Sequence, residues 1–241
     1  MNQKFKSLIQ DYKLLLREVP TMVTLAHVLS IVVMNLAALK VVFDIGSAAF
    51  TGGFFLSWVP FLCMDTVTKR FGGRAAVMIN NLAALVDLVV VIFFSIVAAI
   101  PTENDYTAFN SIFASTWFVL LSSMLALIVS GYVNSAVNMA VAKLFKKDSK
   151  AEFFARSYVS TFIGQATDNF IFFGLLYCVF APIYWGFSYS WGTAIGTAIV
   201  GGFVELLSEV IFSPVGYKVS KRWKEENIGA AYIDKYVKEA A

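Results

Sequence analysis

"AVMINNLAALVDLVVVIFFSIVAAI", residues 76–100, is a nearly unbroken apolar run with one ionisable residue, Asp87. Roughly 20 apolar residues in a helix cross about 30 Å of hydrocarbon, so this run reads as a transmembrane span. Its surroundings repeat the signal. The chain has 241 residues, 59% hydrophobic, 16% aromatic and 15% charged, with a mean hydropathy of +0.71. A soluble domain carries about 25% charged residues and roughly 45–50% apolar ones, so the composition is that of an integral membrane protein.

Six spans are predicted, at 21–42, 51–69, 76–100, 110–143, 155–181 and 192–219. The expected fold is an all-α, single-domain, six-helix membrane bundle with short joints. The fourth span is too long to cross straight and must tilt or extend out of the bilayer. A charged segment precedes the first span and further spans follow it, unlike a cleaved signal peptide. The end segments are helical by pattern. Phe5, Leu8, Ile9, Tyr12 and Leu16 recur at three and four residues, as do Tyr232, Ile233, Tyr236 and Val237. Each end helix is expected on the membrane surface or docked beneath the bundle.

Charge sets the orientation. Lys and Arg cluster before the first span, between the second and third, between the fourth and fifth, and after the sixth. The alternate joints hold Asp44, Glu103 and Asp105, and Lys40 alone among the basic residues falls towards that side. The positive-inside rule places both termini in the cytoplasm of a multi-pass protein of the cell's inner (plasma) membrane.

Ionisable groups inside hydrocarbon are expensive, at about 2.5–3.5 kcal/mol each on insertion scales. Asp87 and Asp168 fall near the middle of their spans, while Glu205 and Glu209 lie one turn apart on the sixth. Lys40, at another depth, is the only intramembrane cation for the four, and it is spaced to pair with Asp44 on a helix. The carboxylates must therefore hold protons, line a wet cavity, or bind something cationic or rich in donors. Asp168 belongs to a stripe of Ser157, Ser160, Thr161, Gly164 and Gln165, continued by Phe172. That is a pocket-lining face. Asn35, Asn80, Asn81, Asn134 and Asn138 read first as hydrogen bonds between helices. Asp65, Lys69 and Arg70 end a helix where a charge cluster can be solvated, and Gly192 with Gly196 form a GxxxG packing signal.

Other chemistry is absent from the sequence. There is no phosphate-cradling GxxxxGK[ST], no HExxH and no CxxC, and His27 is the sole histidine. Cys63 and Cys178 sit in apolar stretches as small buried hydrophobes. No catalytic residue, metal site or cofactor is expected, and nothing points to an enzyme or to a nucleic-acid partner.

Several segments together resemble one family. "PFLCMDTVTKRFGGRAA" (60–76), "RSYVSTFIGQATDNFIFF" (156–173) and "ELLSEVIFSPVGY" (205–217), with Asn35 followed by Lys40, are similar to motifs of the queuosine-precursor transporters, also called the vitamin-uptake-transporter family. The resemblance spans the chain in order. It departs at Glu205, where a lysine is expected, and that departure bears on the ligand. The resemblance implies import of a 7-deazaguanine: queuine, or the cyano or aminomethyl precursor of queuosine in tRNA. Asn35, Lys40, Asp65, Ser160, Gln165, Asp168, Phe172, Glu205 and Glu209 are the expected substrate-binding set. The chemistry is consistent, since a carboxylate accepts bidentately from a guanine-like N1–H and 2-amino group. Asp168 and Glu209 suit the ring donors and an aminomethyl cation, with Glu205 near the second. A secondary transporter holding its ligand near the midplane is the leading reading. The alternative is a capture subunit of an ATPase-driven importer for a vitamin-like molecule. The small size, by analogy with other small carriers, is compatible with a homodimer.

Overall fold

The computed structural model describes residues 3–143 and 150–236; within them the side chains of Asp65, Asn138 and Glu209, among others, lie outside the description. The elements are α1 (Gln3–Glu18), α2 (Thr21–Ala37), β1 (Val41–Ile45), β2 (Ala48–Thr51), a 3-10 turn (Gly52–Leu56), α3 (Trp58–Phe71) and α4 (Gly73–Ala99). They continue with α5 (Thr107–Phe113), α6 (Thr116–Ala142), α7 (Lys150–Phe173), a π-helical segment (Gly174–Phe180), α8 (Ala181–Tyr184), α9 (Trp191–Glu225) and α10 (Ala230–Tyr236). Two compact units result: Met1–Val32 with Leu56–Asp87 and Glu209–Ala241, and Val33–Phe55 with Leu88–Ser208.

The first unit is organised by the end helices. Leu15 and Val19 bury against Phe71, Ala75, Ile79, Trp223 and Tyr232. Helix α1 thus docks on protein together with α10, but through Leu15 with Tyr12 and Leu14 alongside; Phe5, Leu8 and Leu16 of the expected stripe are exposed. Asp11, on the same helix, receives Arg74 Nη2 at 2.8 Å and the Tyr236 hydroxyl, with Lys235 Nζ at 3.6 Å. The Arg74 guanidinium also lies over the Tyr236 ring, 4.4 Å from its centre. The turn into α10 needs glycine: Gly229 has φ 81, and a Cβ there would sit 2.1 Å from the Phe71 ring. Helix α9 continues through Pro214 and meets α3, where Trp58 stacks on Phe212 at 4.3 Å. A Cβ on Gly216 would lie 2.9 Å from Thr66 Oγ1.

The second unit contains a feature the helical reading missed. The joint after the first span is an antiparallel hairpin, with Ile45 opposite Ala48 around Gly46–Ser47. Gly46 has φ 59, the left-handed value that a two-residue hairpin turn asks of its first central residue. The first helix stops at Ala37 and not at 42, and the β-branched Val41, Val42 and Ile45 suit the strand that follows. The hairpin is fastened to α9. The Thr197 hydroxyl accepts from Ala49 N at 2.8 Å and donates to Ala49 O at 3.1 Å. A Cβ on Gly196 would lie 2.3 Å from Ser47 O. The GxxxG signal thus marks the seat of a hairpin, not of another helix.

Among the described residues, four helical stretches are long and apolar enough to cross a membrane: Gly73–Ala99, Thr107–Asn134, Tyr158–Tyr184 and Trp191–Phe212. The other two expected spans are shorter. The hairpin and the 3-10 turn use residues 41–56, leaving 17 residues in α2 and 14 in α3. Helix α1 meets α2 at a bend of 110°. The overlong fourth span resolves at Ala114–Ser115, between α5 and α6. The protein is a predominantly helical membrane protein carrying one small hairpin.

Candidate functional site

Helix α7 lies between α6 and α9 in the second unit, and glycines set both approaches. A Cβ on Gly164 would lie 3.0 Å from Asn134 Cβ on α6, and one on Gly201 of α9 would lie 2.9 Å from Asn169 Nδ2. Adjacent residues of α7 therefore look in different directions. Asp168 Oδ1 accepts a hydrogen bond from Ser130 Oγ of α6 at 2.9 Å. Asn169 Nδ2 donates to Glu205 Oε2 of α9 at 3.0 Å. Glu205 is only 8% exposed, whereas Asp168 is half-buried.

Both carboxyls have neutral partners. Among the described residues no lysine, arginine or histidine forms an ion pair with Asp168 or Glu205. Of the sequence-derived stripe on α7, the Ser157 side chain lies outside the description. Ser160 is buried and hydrogen-bonded or otherwise engaged, Gln165 is half-buried, and Phe172 packs on the cluster around Phe173 and Tyr177. Asn35, on α2, is half-buried and also engaged. Asp87 is 1% exposed on α4 and likewise not without a partner. Asp65 on α3 and Glu209 on α9 lie outside the described side chains.

One expected pairing fails. Lys40 is exposed just before β1, and Asp44 stands within that strand opposite Ala49. Four residues of extended chain span about 13 Å, against about 6 Å for a helical turn, so the helix-based pairing has no geometry to support it. The neighbour of Asp44 is instead Tyr189, in the loop before α9. Burial first, then the Asp44 carboxylate, pushes the Tyr189 phenol above its ordinary value.

The π-helical segment shapes the other end of α7. It begins at Gly174, where a Cβ would lie 2.7 Å from the Trp191 ring. Tyr177 O accepts from Tyr189 N at 3.2 Å, and the Tyr177 hydroxyl donates to Ala38 O. Irregular backbone inside a span persists where such bonds re-satisfy it.

Residues 51–219 match the model of a family described as "Putative vitamin uptake transporter". The chain belongs to this family. No curated protein and no solved structure matches it. Family membership makes the chain a membrane transporter for a vitamin-like small molecule. The matched stretch contains Asp65, Ser160, Gln165, Asp168, Phe172, Glu205 and Glu209, while Asn35 and Lys40 precede it.

Ser130 and Asn169 complete this arrangement, and the residue-level reading left both out of the candidate set. Ser130 had a signal in the sequence. It stands four residues before Asn134 in an otherwise apolar run, so the two share a helical face, the one that meets α7. Asn169 had none, because its role depends on how closely α9 approaches.

Proposed function

We propose that this transporter imports a queuosine precursor or a related 7-deazaguanine base across the inner membrane, for salvage into tRNA. One observation carries the reading: Asp168 is a half-buried carboxylate in a span whose partner is a neutral hydroxyl. Such a group is available to accept two adjacent N–H donors from a guanine-like ring, and a charge-assisted pair in a low-dielectric site is strong. Gln165 and Ser160 on the same face of α7 add polar contacts, and Phe172 offers a ring for the flat face of the base. Glu209, one turn beyond Glu205 on α9, suits the cation of an aminomethyl form. The basic clusters orient both termini to the cytoplasm.

Cells unable to make queuosine, supplied with queuine or its precursors, should modify their tRNA only when this protein is present. Accumulation of an unrelated vitamin, with every deazaguanine ignored, overturns the substrate. The family description names a vitamin as cargo; the competing reading is a capture subunit of an ATPase-driven importer for such a molecule, and uptake that requires a co-purifying ATPase would establish it. For orientation, a cysteine at Asn104 should label from outside and one at Lys221 only after permeabilisation.

A further inference from the structure

Helix α1 has two surfaces, and the docked one fixes where the other points. Asp11 is gripped by Arg74, Lys235 and the Tyr236 hydroxyl, and Leu15 and Val19 are buried on the same side, so the rotation of α1 about its axis is set. At about 100° per residue, Phe5, Ile9 and Leu16 lie roughly 80–120° round the helix from Leu15, and Lys6, Lys13 and Arg17 roughly 160–200° round. Phe5 is 52% exposed and Leu16 39%, while Ile9 is half-buried. Leu8 lies near the docked side but, two turns before Leu15, is still 46% exposed. The three basic side chains are exposed as well. Arg17 keeps 72% of its surface although its Nη2 meets Glu18 Oε1 at 3.4 Å.

An apolar strip beside a basic stripe is the form of a helix lying in a membrane interface. The angle agrees. Helix α1 meets α2 at a bend of 110°, close to perpendicular. Helix α2 carries an exposed apolar ridge of Met22, Leu25 and Leu29, at three- and four-residue spacing, as a helix standing in hydrocarbon does. With α2 upright, α1 runs along the membrane plane. We infer that α1 is a lipid-binding arm whose occupant is the acidic phospholipid of the adjoining leaflet. Phe5, Leu8, Ile9 and Leu16 enter the headgroup–acyl boundary beside the protein, and Lys6, Lys13 and Arg17 hold lipid phosphates. Their long stems let the charges reach that level while the apolar strip stays immersed. A second copy of this chain fits poorly, because a two-fold contact through α1 would bring the basic stripe against itself. This surface does not depend on what is carried.

The test uses the full-length protein reconstituted in vesicles. Spin labels are placed one at a time through Leu8→Cys and Gln10→Cys, with Cys63→Ala and Cys178→Ala removing the native thiols. The label at 8 should collide freely with oxygen and be shielded from an aqueous nickel chelate, and the label at 10, on the basic side, should do the reverse. Equal nickel access at both positions overturns the proposal. A label at 8 that is shielded from both reagents means that a protein covers the strip, which overturns it too. In phosphatidylcholine vesicles, added phosphatidylglycerol should raise the unfolding temperature. That rise should vanish at high salt and in the triple variant Lys6→Gln, Lys13→Gln, Arg17→Gln. A rise that persists in the variant assigns the acidic lipid to other basic clusters and overturns the arm. Should the triple variant fail to insert, Lys13→Gln decides: its preference for spin-labelled phosphatidylglycerol over phosphatidylcholine should fall about fivefold, and an unchanged preference overturns the proposal.

Discussion

Asp11 and Asp168 are the same side chain put to opposite uses. Asp11, 12% exposed, is held by Arg74, Lys235 and the Tyr236 hydroxyl, so its charge is neutralised within the fold. Asp168 has a serine hydroxyl, and among the described residues no cation pairs with it. A charge that is answered by cations is finished as a structural element. One that is answered only by neutral donors is left with capacity for a ligand or a proton. The cation supply explains the contrast: basic residues gather around the end helices and are absent from the flanking stretches 116–142 and 191–217.

The comparison breaks most easily at Asp168. Asp168→Asn turns an acceptor oxygen towards a substrate donor into a donor, and queuine binding should weaken at least tenfold, about 1.4 kcal/mol. Asp168→Leu should insert at least as well as wild type, since it removes a charge from the span. Membrane expression lost with binding intact would make Asp168 packing glue. Asp11→Ala should do the reverse. Thermal unfolding in detergent should show a loss of about 1–2 kcal/mol from its charged hydrogen bonds, while queuine affinity stays within about twofold. A shared loss of affinity would mean the end clasp and the ligand site are coupled.

Ser130→Ala sharpens the contrast further. It removes one neutral donor from Asp168 and should alter queuine affinity by only about threefold, because a bound base replaces that donor. A tenfold loss would make the serine part of the ligand contact. Smallest is Arg222→Ala, which removes the exposed pair with Glu226 at 2.7 Å. No measurable change in unfolding temperature is expected, at low or high salt.

The reading of residues 76–100 as a span needed only hydropathy, and the Gly73–Ala99 helix follows it within a few residues. The polar face of α7 was equally readable, because helical spacing alone aligns Ser160, Gly164 and Asp168. Lys40 and Asp44 show where that logic stops. Their four-residue spacing implies contact only if the helix persists, and it ends at Ala37, before the strand that holds Asp44. Glu209 was legible as a residue out of place in lipid and Asp65 as one in a charge cluster at a helix end, and their surroundings were not.

By itself the sequence determined a membrane protein, most of its spans and the face of α7 that carries Asp168, because hydrophobic length and helical period are local properties. Tertiary structure alone decided which groups answer those carboxyls. Ser130 lies 38 residues from Asp168 and Asn169 lies 36 from Glu205. Such pairs form only where Gly164 and Gly201, lacking side chains, let three helices close together. The hairpin seated on Gly196 is of the same kind. Its strands follow from local propensity, but its anchor on Thr197 exists only once α9 lies alongside. Local chemistry selects the elements, while the partners of a buried charge depend on backbone approach between segments that the chain order keeps far apart.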